Sequence, residues 1–291
     1  ICANSDGHKC RPGASYPGAG AFGSLGGLTC VLARRLDRES ILEALVSRHF
    51  YATTGNRCVM EVKLLVEEDG NTEINAYIMG DVVEVDTDRL HLLVRVVGIA
   101  PIERVEVRKG LRVITTMRPY GADDLGRRVK IVWSGAEVRG RDRMVRWDGG
   151  LRVQGNSIMD AVPINFWNPD QPLERIGDRE LAWKSVTTGG VSGVILTLER
   201  AKSGTLEIDT LQQYVECEIA SLGLEPKVWG CGGLQKEIQA YRLPDRQESH
   251  EFSFNLALTA LHIGDNPIYI CMRQEDGHMA WSNPVYVVQR T

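Results

Sequence analysis

The residues with the strongest claim to chemistry stand near the start of the chain, in Ser5-Asp6-Gly7-His8-Lys9-Cys10-Arg11. In extended backbone, residues i and i+2 project to the same side. The Asp6 carboxylate and the His8 imidazole are then placed to reach one metal ion or two adjacent ions, and both are good ligands for Zn, Mn or Fe. Lys9 and Arg11 follow closely enough to hold a phosphate or carboxylate bound at such a centre. A plainer reading stands beside this one. Asp-Gly is a common turn, a nearby His is often only exposed, and both cations suit a solvated loop. A catalytic metal takes about three protein ligands, and on spacing only Asp6 and His8 qualify. His49 ends a helix, His91 lies in a strand, His250 sits beside acidic residues and His262 lies in an apolar run; no His-x-His or His-Glu-x-x-His spacing occurs.

The chain supplies its own comparison. Glu275-Asp276-Gly277-His278 repeats the triplet between two strand-like runs, 266–274 and 279–287. A hairpin turn accounts for that copy, so the triplet alone does not define a ligand motif. Gly18-Ala19-Gly20-Ala21-Phe22-Gly23 has the spacing of a dinucleotide-binding turn, which needs a strand before it and a helix opening at it. Residues 11–17, with Pro12 and Pro17, make no central strand, and 24–27 is a poor helix start. The acids at the right distance, Asp37 and Glu39, begin a helix instead, so the stretch reads as a glycine-rich loop. No nucleophile elbow is present. Cys10, between Lys9 and Arg11, is the one thiol with basic neighbours, and no base is assigned to it. The tryptophans (133, 147, 167, 183, 229 and 281) suit either a sugar-binding platform or core packing.

The elements that must position these residues change character along the chain. Residues 1–30 are irregular and rich in Gly and Pro. Asp37 then caps a helix, with Ser40 three residues on and Ile41, Leu42, Leu45 and Val46 as an apolar stripe. From about residue 57, short runs rich in Val, Ile, Leu and Tyr alternate with turn signals. In 105–108, Val105 and Val107 face one way and Glu106 and Arg108 the other, the pattern of antiparallel strands with one wet face. The expected fold is mostly β: an antiparallel β-sandwich over 57–291, preceded by a small α/β piece over 1–56.

Composition bounds the partners. The 291 residues are 43% hydrophobic and 25% charged with net charge -4, which suits a soluble globular protein and gives no sign of a nucleic-acid surface. No apolar run is long enough to span a bilayer. Seven scattered cysteines without a C-x-x-C pair read as reduced thiols of a cytoplasmic protein. The chain begins at Ile1, with neither an initiator Met nor a secretory signal, and so reads as a piece of something longer.

Residues 3–33 (ANSDGHKCRPGASYPGAGAFGSLGGLTCVLA) and 38–57 (RESILEALVSRHFYATTGNR) resemble the end of the catalytic domain in a domain-of-unknown-function family related to the PHP (polymerase and histidinol phosphatase) metal-dependent hydrolases. The segments 102–110 and 266–287 look like that family too; the resemblance is most specific over 3–57. It implies a distorted α/β barrel whose last ligand motif, Asp-x-His, falls on Asp6 and His8. It further implies two or three divalent transition-metal ions in the parent enzyme, and an active-site mouth bordered by the glycine-rich loop and by Tyr51–Gly55. The earlier ligand motifs of such enzymes are absent from this sequence, so the residues that the resemblance places here form the tail of a barrel plus a β domain, inactive as an isolated piece. The expected activity is hydrolysis of a small anionic phosphoester, with other esters or amides as alternatives and Lys9 and Arg11 on the substrate. The remnant is expected to pack on the β domain, on the rest of its parent or on a second copy. The competing expectation is a non-catalytic β-sandwich that binds a protein partner, a glycan or itself.

Overall fold

The structure is a computed structural model, and it describes residues 1–5, 25–67, 74–140, 142–259 and 261–290. It is mostly β, and it divides into two compact units, one contributed by 25–119 and 248–291 and the other by 120–247. Residue 57 is therefore not where the units part.

The first unit begins with β1 (Leu28–Val31), helix α1 (Arg38–Val46) and β2 (Phe50–Thr53). It continues through β3 (Val59–Glu67), β4 (Ile74–Ile78), β5 (Val82–Val85), β6 (Leu90–Val97), β7 (Ile102–Lys109) and β8 (Arg112–Met117). Alternation explains the strands: in β3, Met60, Val62, Leu64 and Val66 point inward while Glu61 and Lys63 point out. β6 repeats the pattern, and on the outer face its Arg95 pairs with Glu61.

The segment 120–247 builds the second unit. Its strands are β9 (Leu125–Ala136), β10 (Val145–Arg146), β11 (Gly149–Gln154), β12 (Ile158–Ile164), β13 (Glu174–Arg175), β14 (Glu180–Trp183), β15 (Val186–Thr187), β16 (Val191–Leu198), β17 (Thr205–Thr210), β18 (Tyr214–Glu218), β19 (Lys227–Gly230) and β20 (Leu234–Pro244). Two five-stranded antiparallel sheets, β13-β14-β11-β17-β18 and β12-β16-β9-β20-β19, face each other. Trp133, Trp147, Leu151, Trp183, Leu196 and Ile208 fill the space between them. Trp133 stacks on Trp183 with centroids 4.6 Å apart. Each of these three indoles is buried and donates its N–H: Trp133 to Ser185, Trp147 to Thr187 and Trp183 to the Trp147 carbonyl. They are packing residues, not a glycan platform.

The chain then returns to the first unit with β21 (Glu251–Ala257), β22 (Gly264–Gln274), β23 (Met279–Ser282) and β24 (Val285–Gln289). One sheet runs β21-β6-β3-β4. The other has eight strands: β1-β2-β23-β22-β24-β5, with β7 paired to β22 and β8 paired to β7. All its pairings are antiparallel except β24 with β5. The two sheets enclose a core that includes Met60, Leu92, Val105, Val107, Ile270 and Met272.

Residues 28–53 hold the expected helix between two strands, and the first of them, Leu28–Val31, begins inside the stretch expected to be irregular. The two strands are direct antiparallel neighbours, and β2 continues into β23, so the piece belongs to the sheet that the C-terminal strands build. Asp37 caps α1 by accepting from the Ser40 N–H at 2.8 Å, as its spacing predicts. The expected stripe does not face inward, however: Leu42, Leu45 and Val46 are exposed, and the small residues Ser40 and Ala44 make the buried face. No described helix is long and apolar enough to cross a membrane.

Candidate functional site

Asp6, His8, Lys9 and Arg11 lie outside the described residues, as do Cys10 and Gly18–Gly23. Their flanks are described: the leading one is held by Thr29 and the returning one packs on the turn after β2. On the leading side, the Ala3 N–H donates to Thr29 Oγ1 at 3.1 Å and the Thr29 hydroxyl donates to the Ala3 carbonyl at 2.9 Å. Gly27 is pressed so close that a Cβ there would sit 2.7 Å from Ala3 Cβ and 3.2 Å from the Thr53 carbonyl oxygen. On the returning side, Gly55 takes φ +101°, and a Cβ there would sit 2.7 Å from Leu25 Cβ. Gly55 is thus required twice, for its backbone angle and for the contact. The turn itself is closed by Thr53, whose hydroxyl donates to the Asn56 carbonyl and accepts from the Gly55 N–H.

Thr54, at the centre of this turn, meets the second Asp-Gly-His. Its Oγ1 lies 3.0 Å from His278 Nδ1 and accepts from the Met279 N–H at 3.0 Å. Glu275–His278 is the turn between β22 and β23, as its sequence context indicates, with Gln274 and His278 closing it backbone to backbone. His278 is nevertheless 7% exposed, a buried imidazole rather than a solvated one. Asn56 is 3% exposed, and neither polar atom of its side chain has a hydrogen-bond partner among the described residues. Buried polar atoms left without partners are uncommon in native proteins, and an unseen water or ligand is one usual reason.

The eight-stranded sheet extends this site on the face away from the core. Pairing runs across it from Thr29 to Ala52, Trp281, Cys271, Glu106 and Thr116. One step along, Met279 stands opposite Arg273 and Arg273 opposite Arg104. The β7 alternation is as expected, but the face is not wet. Glu106 is 6% and Arg104 is 7% exposed.

Charge pairing makes this burial tolerable. Glu106 receives Nε of Arg104 at 3.1 Å and Nε of Arg108 at 3.0 Å, and Nε of Arg273 lies 3.4 Å away. A bulge at 102–104 sets Glu103 beside Arg104, which donates to it. Burial pushes the Glu106 carboxyl up. The charge of Arg273, with the hydrogen bonds and charges of Arg108 and Arg104, outweighs that and holds it below the ordinary carboxylate value. Burial raises the neighbouring Cys271 thiol to about 11, so it is no nucleophile at neutral pH. Local pattern concealed this network because alternating charged residues usually face water; the signal in the sequence was the self-complementary order Glu103, Arg104, Glu106, Arg108.

Among the described residues, no group of three or more His, Cys, Asp and Glu side chains is placed to hold a metal ion. His278 supplies a single imidazole with one nitrogen against Thr54.

No family model matches the chain, and no solved structure matches it. The chain is similar to two proteins described as uncharacterised. One, from Chlamydia trachomatis serovar D, is 32% identical over 95 residues, which is 33% of this chain and 14% of the relative. The other, from Chlamydia pneumoniae, is 33% identical over 105 residues, 34% of this chain and 16% of the relative. The matched stretch is thus a small part of either relative.

Proposed function

We propose that this chain contributes the Asp-x-His ligand pair, and the β framework behind it, to a PHP-like metal-dependent hydrolase acting on phosphoesters. One observation carries the reading. The leading side of segment 6–24 is tied to Thr29 and Gly27, its returning side packs Leu25 against Gly55 of the turn Thr53–Asn56, and that turn sets Thr54 on a buried imidazole, His278, and carries a buried amide, Asn56, without a hydrogen-bond partner among the described residues. A buried polar turn beside the described ends of the segment that bears Asp6, His8, Lys9 and Arg11 suits a hydrolytic centre better than it suits a plain surface turn. Zn, Mn or Fe ions held there would lower the pKa of a bound water towards neutrality. Asp6 and His8 hold metal, Lys9 and Arg11 meet the anionic group of the substrate, and Thr54 fixes the ring of His278. Metal content tests this on the protein expressed from its complete gene, wild type beside Asp6→Ala/His8→Ala. Two or more tightly bound transition-metal ions, reduced in the double variant, are expected. No bound metal in either protein after reconstitution with Mn or Zn would leave Ser5–His8 an ordinary turn and favour a non-catalytic binding module.

A further inference from the structure

Arg273 differs from the other two arginines of the network. Its Nε is buried and lies within ion-pair reach of Glu106, yet it makes no hydrogen bond to a described residue. Its side chain remains 30% exposed, against 9% for Arg104. No described residue accepts a hydrogen bond from its terminal nitrogens. The stem of this guanidinium is fixed by a carboxylate that two further arginines hold in place, while its outer edge has no protein acceptor among the described residues. An arginine so arranged is a preorganised fork whose two parallel N–H groups match the oxygens of a phosphoryl group or a carboxylate.

Its position matters as much. Met279, opposite Arg273 on the next strand, is joined to Thr54 through both backbone groups: Thr54 donates its N–H to the Met279 carbonyl, and Met279 donates to the Thr54 hydroxyl. Two strand intervals of about 4.8 Å therefore separate Arg273 from the turn Thr53–Asn56, against which Leu25 packs. The two are on the same sheet of the same compact unit. Ordinary structural ion pairing explains Arg104 and Arg108, which spend their donors on Glu103 and Glu106. It does not explain why a third arginine approaches Glu106 side-on without bonding to it.

We propose that Arg273 is a substrate-binding residue that takes the phosphoryl oxygens of an anionic phosphoester through its terminal N–H pair, with Glu106 as the residue that positions it. The choice of a phosphoryl over a carboxylate group rests on the hydrolase reading above; the oxyanion site itself does not.

Binding of inorganic phosphate and of acetate, measured by calorimetry at fixed ionic strength, tests this on the metal-loaded protein from its complete gene. Wild type, Arg273→Ala and Arg273→Lys are compared, each also in the Asp6→Ala/His8→Ala background. The lysine variant keeps a cation opposite Glu106, so it stays informative where the alanine variant does not fold, but it lacks the fork. Both variants are expected to weaken phosphate binding at least tenfold, and the same dependence is expected to persist without Asp6 and His8. If the double variant leaves metal content unchanged while phosphate binding still depends on Arg273, the hydrolase reading fails and the oxyanion site stands. Phosphate binding that is absent in wild type, or unchanged in both Arg273 variants, overturns the site. Tighter binding of acetate than of phosphate overturns the phosphoryl assignment.

Discussion

A carboxylate 6% exposed among three guanidinium groups is stable only as an anion, and this fixes how Glu106 responds to substitution and to pH. Glu106→Gln keeps the size and one acceptor but leaves Arg104, Arg108 and Arg273 facing one another across a buried strand. Breaking a buried ion pair from one side costs about 3–5 kcal/mol, and a loss of that order is expected in the unfolding free energy measured in urea at pH 7. The acid limb follows from the sign of the shift. The folded-state pKa of Glu106 is lowered from 4.5, so its stabilising contribution is complete above pH 4.5 and is lost as pH falls through the lower, folded-state value. The gap between wild type and Glu106→Gln should narrow as pH drops below 4.5. A constant gap would show that the charge of Glu106 does not stabilise the fold. At this scale the sequence was legible in part. The Asp37 cap and the Asp276–His278 turn follow from local chemistry and are found. The burial of Glu106 and Arg104 was not legible, because burial of a charged face depends on what lies over it, and a strand's own alternation carries no such information.

Individual strands were readable because the pleat imposes a period of two, and Met60, Val62, Leu64 and Val66 show that period directly. Their partners were not readable. β22 lies between β7 and both C-terminal strands, and β5 pairs in parallel with β24, across about two hundred residues of sequence. For the same reason the change of composition at residue 57 marked the end of a glycine-rich stretch rather than a boundary between units, since β2 pairs with β23. Close approach between strands gives an element-scale prediction. Gly149 begins β11 between β14 and β17, and a Cβ there would fall on the carbonyl oxygen of Asp209. Overpacking against backbone costs about 1–3 kcal/mol, so Gly149→Ala should lower the unfolding free energy of the 120–247 unit by that amount. Tryptophan fluorescence checks it, because Trp133, Trp147, Trp167, Trp183 and Trp229 all lie in that unit and only Trp281 lies outside it. An unchanged fluorescence transition would mean that β17 shifts to accommodate the methyl group.

Across the whole molecule, the decisive feature is that one unit is continuous in sequence and the other is not. Residues 120–247 carry both sheets of their sandwich, with their own core around Trp133, Trp147 and Trp183. The first unit cannot close its eight-stranded sheet until β22, β23 and β24 arrive from beyond that insertion, because β7, β2 and β5 all wait for them. Closing a long loop costs entropy that grows with the logarithm of its length, and the cost falls once the insertion is already compact. Folding is therefore expected to run from the inserted unit to the divided one. Pulsed hydrogen exchange during refolding checks this: amides of β9, β16 and β20 should gain protection before those of β7 and β22. Leu92→Ala gives the independent control. It empties a fully buried position in the first core, where such truncations cost about 2–5 kcal/mol. It should strip protection from β3, β6 and β22 while β9 and β16 keep theirs. If β7 and β22 are protected as early as β9, or if Leu92→Ala exposes both sets equally, the two cores fold as one cooperative body and the division of the chain has no kinetic consequence.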